Sequence, residues 1–163
     1  MMPSVVKISI VLRRIPNRMM LVDTNILLRL CQPDHPHHKG AKQAVARLIK
    51  EETLCVITPQ IAAEFWSVCT RPAAVNGFGL TPVVAAEKLT DFEALFPIHA
   101  GEPKAEYIVW KQLLIALKIK GVKAHDARLA AFMIANMIPR ILTFNGDDFQ
   151  RFSEITVCHP DDV

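Results

Sequence analysis

The sequence predicts an α/β protein, a parallel sheet with helices on both faces, and three observations carry the prediction. Short apolar stretches of strand length alternate with longer ones whose apolar residues recur at helical spacing. Prolines and glycines punctuate the joins where helices begin and end. The 163 residues suit one domain with a single core, large enough to bury about two thirds of its unfolded surface.

Taken in order, the elements begin with a strand at 20–23 in "MMLVDTNILL", ending on a carboxylate, Asp23. "TNILLRL" continues as a short helix and breaks at "CQPDHPHHKG", whose two prolines exclude regular structure. "AKQAVARLIKEE" has apolar residues at 41, 44, 45, 48 and 49, a helical period. "TLCVITP" is a strand stopped by Pro59, which opens the helix "PQIAAEFWSVCTR" with its one acid, Glu64. After the Gly/Pro loop "PAAVNGFGLTP", Thr81 caps and Pro82 opens "VVAAEKLTDFEALF". "PIHA" reads as a small strand and "PKAEYIVWKQLLIALKIKG" as an amphipathic helix closed by Gly121. "AHDARLAAFMIANMI" is a helix apolar enough to require burial. "RILTF" is a strand running into "NGDDF", and "EITVCHP" is the last strand. No repeat, low-complexity tract or linker interrupts this order.

The formal net charge of +3 resides at the N-terminus: residues 1–18 hold Lys7, Arg13, Arg14 and Arg18 and no acid. The remaining residues carry 15 basic and 16 acidic groups, so any nucleic-acid-binding surface must be local. We therefore set residues 1–18 apart as a basic extension and expect the domain to span 19–163. The extension reads as an extra edge strand, a loose arm or an artefact of start-codon choice. Cys31, Cys55, Cys69 and Cys158 form no CxxC pair or zinc spacing and are expected as free thiols of a reducing cytoplasm. The apolar runs are too short for a membrane span, and in "VVKISIVLRR" the arginines follow the apolar run, unlike a signal peptide.

A few acids interrupt apolar segments: Asp23, Glu64, Asp126, and Asp147 with Asp148. Others, such as Glu51, Glu52, Glu87, Glu93 and Glu106, read as solvated helix faces. Each of the first set alone is a cap or turn residue; at the first strand's end, Asp23 or Thr24 caps the helix that follows. Together, at the carboxyl rim of a parallel sheet, they would repel one another unless a cation compensates. Mg²⁺ suits such oxygen ligands, and the chemistry implied is metal-assisted phosphodiester hydrolysis.

Residues flanking these acid-bearing segments, Arg29, Arg71, Lys123 and Arg128, are candidates for phosphate contact, although Arg128 could instead pair with an acid. His35, His37 and His38 lie in a Pro-rich turn and read as a solvated loop rather than a metal site. His125 beside Asp126 reads as helix-start packing or as support for an acid or phosphate. Phe65, Trp66, Tyr107 and Trp110 at helical spacing read as core or an oligomer contact rather than stacking platforms for RNA.

"LVDTNILL", "PQIAAEFWSVCTRP", "AHDARLAA" and "ILTFNGDDF", in this order, resemble the PIN domain, specifically the single-domain VapC-type ribonuclease toxins of toxin–antitoxin pairs, over roughly residues 20–160. The resemblance implies a three-layer α/β/α fold whose acidic pocket binds Mg²⁺ or Mn²⁺ and cuts RNA. It also implies a homodimer and an antitoxin that masks the pocket. Carried over by position, the family's acids fall on Asp23, Glu64 and Asp126. Thr24 and Asn25 match its small polar residues, and Thr143 matches the hydroxyl residue at the end of the fourth strand. Asn145 stands where relatives often have an aspartate, which leaves Asp148, rather than Asp147, to complete the set.

HAD-type phosphatases need a second acid where Asn25 stands, and no glycine-rich phosphate loop is present. The remaining alternative is a non-catalytic nucleic-acid or partner-binding module on the same fold, against which the joint presence of Asp23, Glu64 and Asp126 weighs.

Overall fold

The computed structural model describes residues 18–163. The expectations for the N-terminal extension therefore lie, but for Arg18, outside the described residues. Among the described residues four short strands form one parallel sheet: β1 (Met19–Val22), β2 (Leu54–Val56), β3 (Arg140–Leu142) and β4 (Thr156–Cys158), in the order β2-β1-β3-β4. Leu21 lies opposite Val56 on one side and Ile141 on the other, and Ile141 lies opposite Val157. Leu21, Val22, Ile141 and Leu142 are fully buried, as strands covered on both faces require, which explains their unbroken apolar runs.

Among the described residues six helices flank the sheet, the expected α/β/α arrangement: α1 (Thr24–Leu30), α2 (His38–Lys50), α3 (Pro59–Thr70), α4 (Pro82–Leu95), α5 (Pro103–Ala116) and α6 (Lys123–Ala135). Pro59 and Pro82 open α3 and α4 as predicted, and the Thr81 hydroxyl caps α4 by accepting from the Val84 amide; at α3 the cap is Thr58, whose hydroxyl accepts from the Ile61 amide and which the sequence reading does not single out. Helix α6 buries Ala127, Leu129, Ala130, Ala131, Phe132 and Met133, as its composition demands. Phe65 of α3 meets Phe92 of α4 edge to face at 5.3 Å in the adjoining part of the core.

Several boundaries differ from the sequence expectation: β1 ends at Val22, one residue before Asp23, α6 spans Lys123–Ala135, and three further differences have a clear physical reason. Helix α2 begins at His38, before Ala41; the prolines at 33 and 36 end just short of it, and His38 Nδ1 lies 2.9 Å from the Arg29 carbonyl oxygen. "PIHA" is a single bridge, not a strand: Ile57 N–H donates to Pro97 O at 3.2 Å and His99 N–H to Ile57 O at 2.8 Å, and Pro97 has no N–H to extend the ladder. Helix α5 stops at Ala116, well before Gly121. Lys118 turns left-handed with φ 50°, its amide bonding to Ile115 O and that of Ile119 to Leu114 O, a Schellman ending formed without glycine. The four cysteines are free, and burial pushes the thiols of Cys55 and Cys69 up to about 11.

Candidate functional site

Where β1 ends, the Asp23 amide still donates to Leu142 O of β3 at 3.1 Å, so the residue is held in line with the sheet. Its backbone is extended, and its Oδ1 accepts from the Thr24 amide at 2.7 Å. Asp23 is therefore the cap of α1, and Thr24, the other cap candidate, is the helix's first residue. That frees the Thr24 hydroxyl, which donates to Glu64 Oε2 at 2.7 Å. Asp23 Oδ2 accepts from the Thr143 hydroxyl at 2.6 Å and from Asn25 Nδ2 at 2.8 Å.

Thr143, fully buried just past β3, is the hub of this arrangement. Its hydroxyl oxygen also accepts from Asn25 Nδ2 at 2.9 Å and from the Asn145 amide at 3.0 Å. The Asn25 side chain in turn accepts from the Phe144 amide at 3.1 Å, stapling the loop after β3 to the start of α1. With three donors on Asp23, about one of a carboxylate's roughly four lone-pair positions remains open.

Asp23 is 8% exposed, and this burial raises its carboxyl to about 6. The bonds from Thr143 and the Thr24 amide oppose the rise, while the charges of Glu64 and Asp126 add to it. Glu64 projects from α3, its Oε1 accepting from Gln60 Nε2 at 2.8 Å. Gln60 is a site residue the sequence reading missed; its signal was its place one helical turn before Glu64, on the same face.

Asp126 lies in the first turn of α6, and its carboxyl is raised by burial, then by the charges of Asp148 and Glu64, against the pull of Lys123. Asp148 sits in a 3₁₀ turn, Gly146–Asp148, and its Oδ1 receives the Lys123 ammonium, which is also 3.5 Å from Asp126 Oδ2. Asp147 points elsewhere: it is exposed and accepts from Gln150 Nε2 at 2.8 Å. Asp23, Glu64, Asp126 and Asp148 thus form one electrostatically linked group, and Asn145 is exposed beside it.

Of the four basic candidates, Lys123 is drawn onto two acids rather than left open for phosphate. Arg29 bonds to Gln32 at 2.6 Å and Arg71 to the Asn76 carbonyl at 3.1 Å; neither pairs with the acids. Arg128 is exposed and lines a cleft with Gln60, Glu64 and His125. His37 stacks on Phe144 at 4.6 Å and lies 5.3 Å from the His35 ring, its amide donating to His35 Nδ1 at 3.1 Å. Of the four aromatics expected to pack, only Phe65 is fully buried; Trp66 is 36% exposed and Tyr107 58%, while Trp110 is half-buried.

Among the described residues, no three His, Cys, Asp or Glu side chains are already closed into a metal cage. The donor set nonetheless suits a hard divalent cation that keeps part of its water: every donor is oxygen, and neighbouring acids add to the raised proton affinity of Asp23 and Asp126. The Lys123 ammonium, lying across Asp126 and Asp148, places one positive charge where the group needs it.

Similarity to known proteins agrees with this arrangement. Ribonuclease VapC48 of Mycobacterium tuberculosis is 27% identical over 139 residues, covering 85% of this chain and 94% of that protein. The fold resembles VapBC2 from Rickettsia felis bound to a DNA fragment from their promoter, with TM-score 0.62 and 17% identity over 86% of this chain and 98% of that one. It also resembles Mycobacterium tuberculosis VapC20, a sarcin–ricin loop cleaving toxin, with TM-score 0.57 and 20% identity over 83% and 98% of the two chains. The PIN domain itself matches residues 20–155, a span that takes in all four acids and the threonine and asparagine that hold Asp23, and the chain accordingly belongs to the PIN domain family.

Proposed function

We propose that this protein is a metal-dependent endoribonuclease that hydrolyses phosphodiester bonds in RNA, acting in the cytoplasm as the toxin of a toxin–antitoxin pair. The observation that carries the reading is the buried Asp23 carboxylate, linked electrostatically to Glu64 and Asp126 and held by Thr143 and Asn25. Ribonuclease VapC48 and the toxin VapC20 support RNA as substrate, and VapBC2 on its promoter DNA supports a protein partner, an antitoxin that covers the acids. A homodimer is part of the same reading.

Asp23, Glu64, Asp126 and Asp148 would hold Mg²⁺ or Mn²⁺. Bound there, the ion supplies the positive charge that activates a water nucleophile and offsets charge on the leaving oxygen of the phosphodiester. The chain's own residues prepare that site. Thr143 and Asn25 fix the Asp23 carboxylate, so that its remaining lone pair has one direction. Thr24 and Gln60 do the same for Glu64, one hydrogen bond to each of its oxygens. Asn145, through its side-chain carbonyl, is available as a neutral donor where relatives often have an acid. Lys123 balances the charges of Asp126 and Asp148.

The test is cleavage of single-stranded RNA by the purified chain with Mg²⁺, Mn²⁺ or EDTA, beside Asp23→Asn. Cleavage is expected with either ion and lost in EDTA and in the variant. Equal cleavage by variant and wild type, or cleavage in EDTA, overturns the mechanism; RNA binding with no cleavage under any condition favours the binding-module alternative.

A further inference from the structure

A cavity of about 440 Å³ opens between α5 and α6, beside the acids and unused by the mechanism above. Tyr107 and Trp110 of α5 form one wall, His125 and Arg128 of α6 another, and Glu106 stands at its edge. A second cleft, about 380 Å³, shares His125 and Arg128 with the first and reaches Gln60 and Glu64. The side chains of His125 and Arg128 thus stand between the aromatic wall and the Glu64 carboxylate.

We propose that this cavity is a nucleobase pocket, in which an unpaired base of the RNA substrate stacks on Tyr107 and Trp110 while its phosphate runs past Arg128 and His125 to the acids. The proposal rests on the ribonuclease reading and adds where the substrate is gripped. The two rings are 6.1 Å apart between centroids and inclined by 45°, so they do not stack flat on each other and each offers a face. The Trp110 indole N–H donates to Ala124 O at 2.9 Å, which pins the ring as a wall. Tyr107, 58% exposed, leaves much of its ring accessible to a guest.

The distribution of charge sets which part of a nucleotide goes where. Glu106 Oε1 is held by the Glu102 amide at 2.8 Å and by Asn136 Nδ2 at 2.9 Å, so a carboxylate is anchored at the pocket. It repels a phosphate and accepts from the N–H edge of a base. Among the described residues Arg128 makes no ion pair, and it lies on the acid side, where the phosphate chain must pass. A base inside a duplex cannot enter, so the pocket selects single-stranded or looped RNA.

The test uses the full chain carrying Asp23→Asn, which keeps RNA intact, and Trp66→Phe, which leaves Trp110 as the one tryptophan of the two in the sequence. Trp110 emission is followed during titration with a single-stranded oligoribonucleotide and with an abasic chain of equal length. The RNA is expected to quench Trp110 and to bind about tenfold or more tighter than the abasic chain, the scale of one stacked base. Tyr107→Ala should abolish that difference and Tyr107→Phe restore it.

Equal affinity for the two chains, or unchanged Trp110 emission on saturation, overturns the pocket. So does a Tyr107→Ala variant that weakens only the complex with the antitoxin, which would assign the cavity to a protein partner. Cleavage by the otherwise wild-type chain is measured separately. Its absence sinks the ribonuclease reading whatever the quenching shows, whereas cleavage with an unchanged KM in Tyr107→Ala overturns the pocket alone.

Discussion

Burial raises the Asp23 carboxyl from the ordinary 3.8 to about 6, so the metal-free folded chain binds that proton more tightly than the unfolded chain does. The sign follows: Asp23's contribution to stability is full below about pH 4 and is lost as pH rises through about 6, in total on the order of 3 kcal/mol. Asp23→Asn removes the ionisation but accepts one hydrogen bond fewer, a loss of about 1 kcal/mol. The variant is therefore expected to be more stable than wild type by about 1–2 kcal/mol at pH 7 in EDTA, and to lack the fall in stability between pH 4 and 7. Urea denaturation of both proteins across that range checks it; a wild-type profile that rises with pH would contradict the assignment.

At the scale of elements, the ends of helices do more for the site than their middles. Asp23 caps α1 and Asp126 occupies the first turn of α6, so helix starts bring two of the acids to the carboxyl rim of the sheet, where the positive ends of helix dipoles favour their ionised forms. The far end of α5 is built less economically. Lys118 holds a left-handed conformation, φ 50°, that glycine adopts freely and other residues resist by about 1 kcal/mol. Lys118→Gly is expected to raise stability by up to about 1 kcal/mol without changing RNA cleavage, as measured by chemical denaturation and a cleavage assay. A loss of stability would mean that the lysine makes compensating interactions elsewhere.

For the whole molecule, a folded chain that gathers like charges is stabilised by whatever neutralises them, and only to the extent that the charges are present. Mg²⁺ should therefore raise the thermal midpoint clearly at pH 7.5 and much less at pH 5, where protonation of Asp23 already relieves the repulsion. The shift should vanish in Asp23→Asn. Thermal melting at both pH values, with Mg²⁺ and with EDTA, checks it; an equal shift in the variant would place the ion elsewhere.

The alternation of apolar segments determined the parallel sheet and its helices, because strands buried on both faces must be continuously apolar and helices must repeat every 3.6 residues. The acids stood out for a related reason: a carboxylate such as Asp23 at the end of an apolar strand needs a partner. Local hydrogen bonding decided what the sequence left open, namely that Asp23 and not Thr24 is the cap, that Asp148 and not Asp147 turns inward, and that α5 ends without a glycine. The pull of Lys123 onto two acids and the cavity at Tyr107 and Trp110 depend on which helix faces which and have no periodic signal, whereas Gln60 was legible only as the residue one helical turn before Glu64. Periodicity records which residues leave water, since burial is a property of each side chain; which side chains then meet is settled only by long-range packing, between residues as far apart as Thr24 and Glu64 or Asp23 and Thr143.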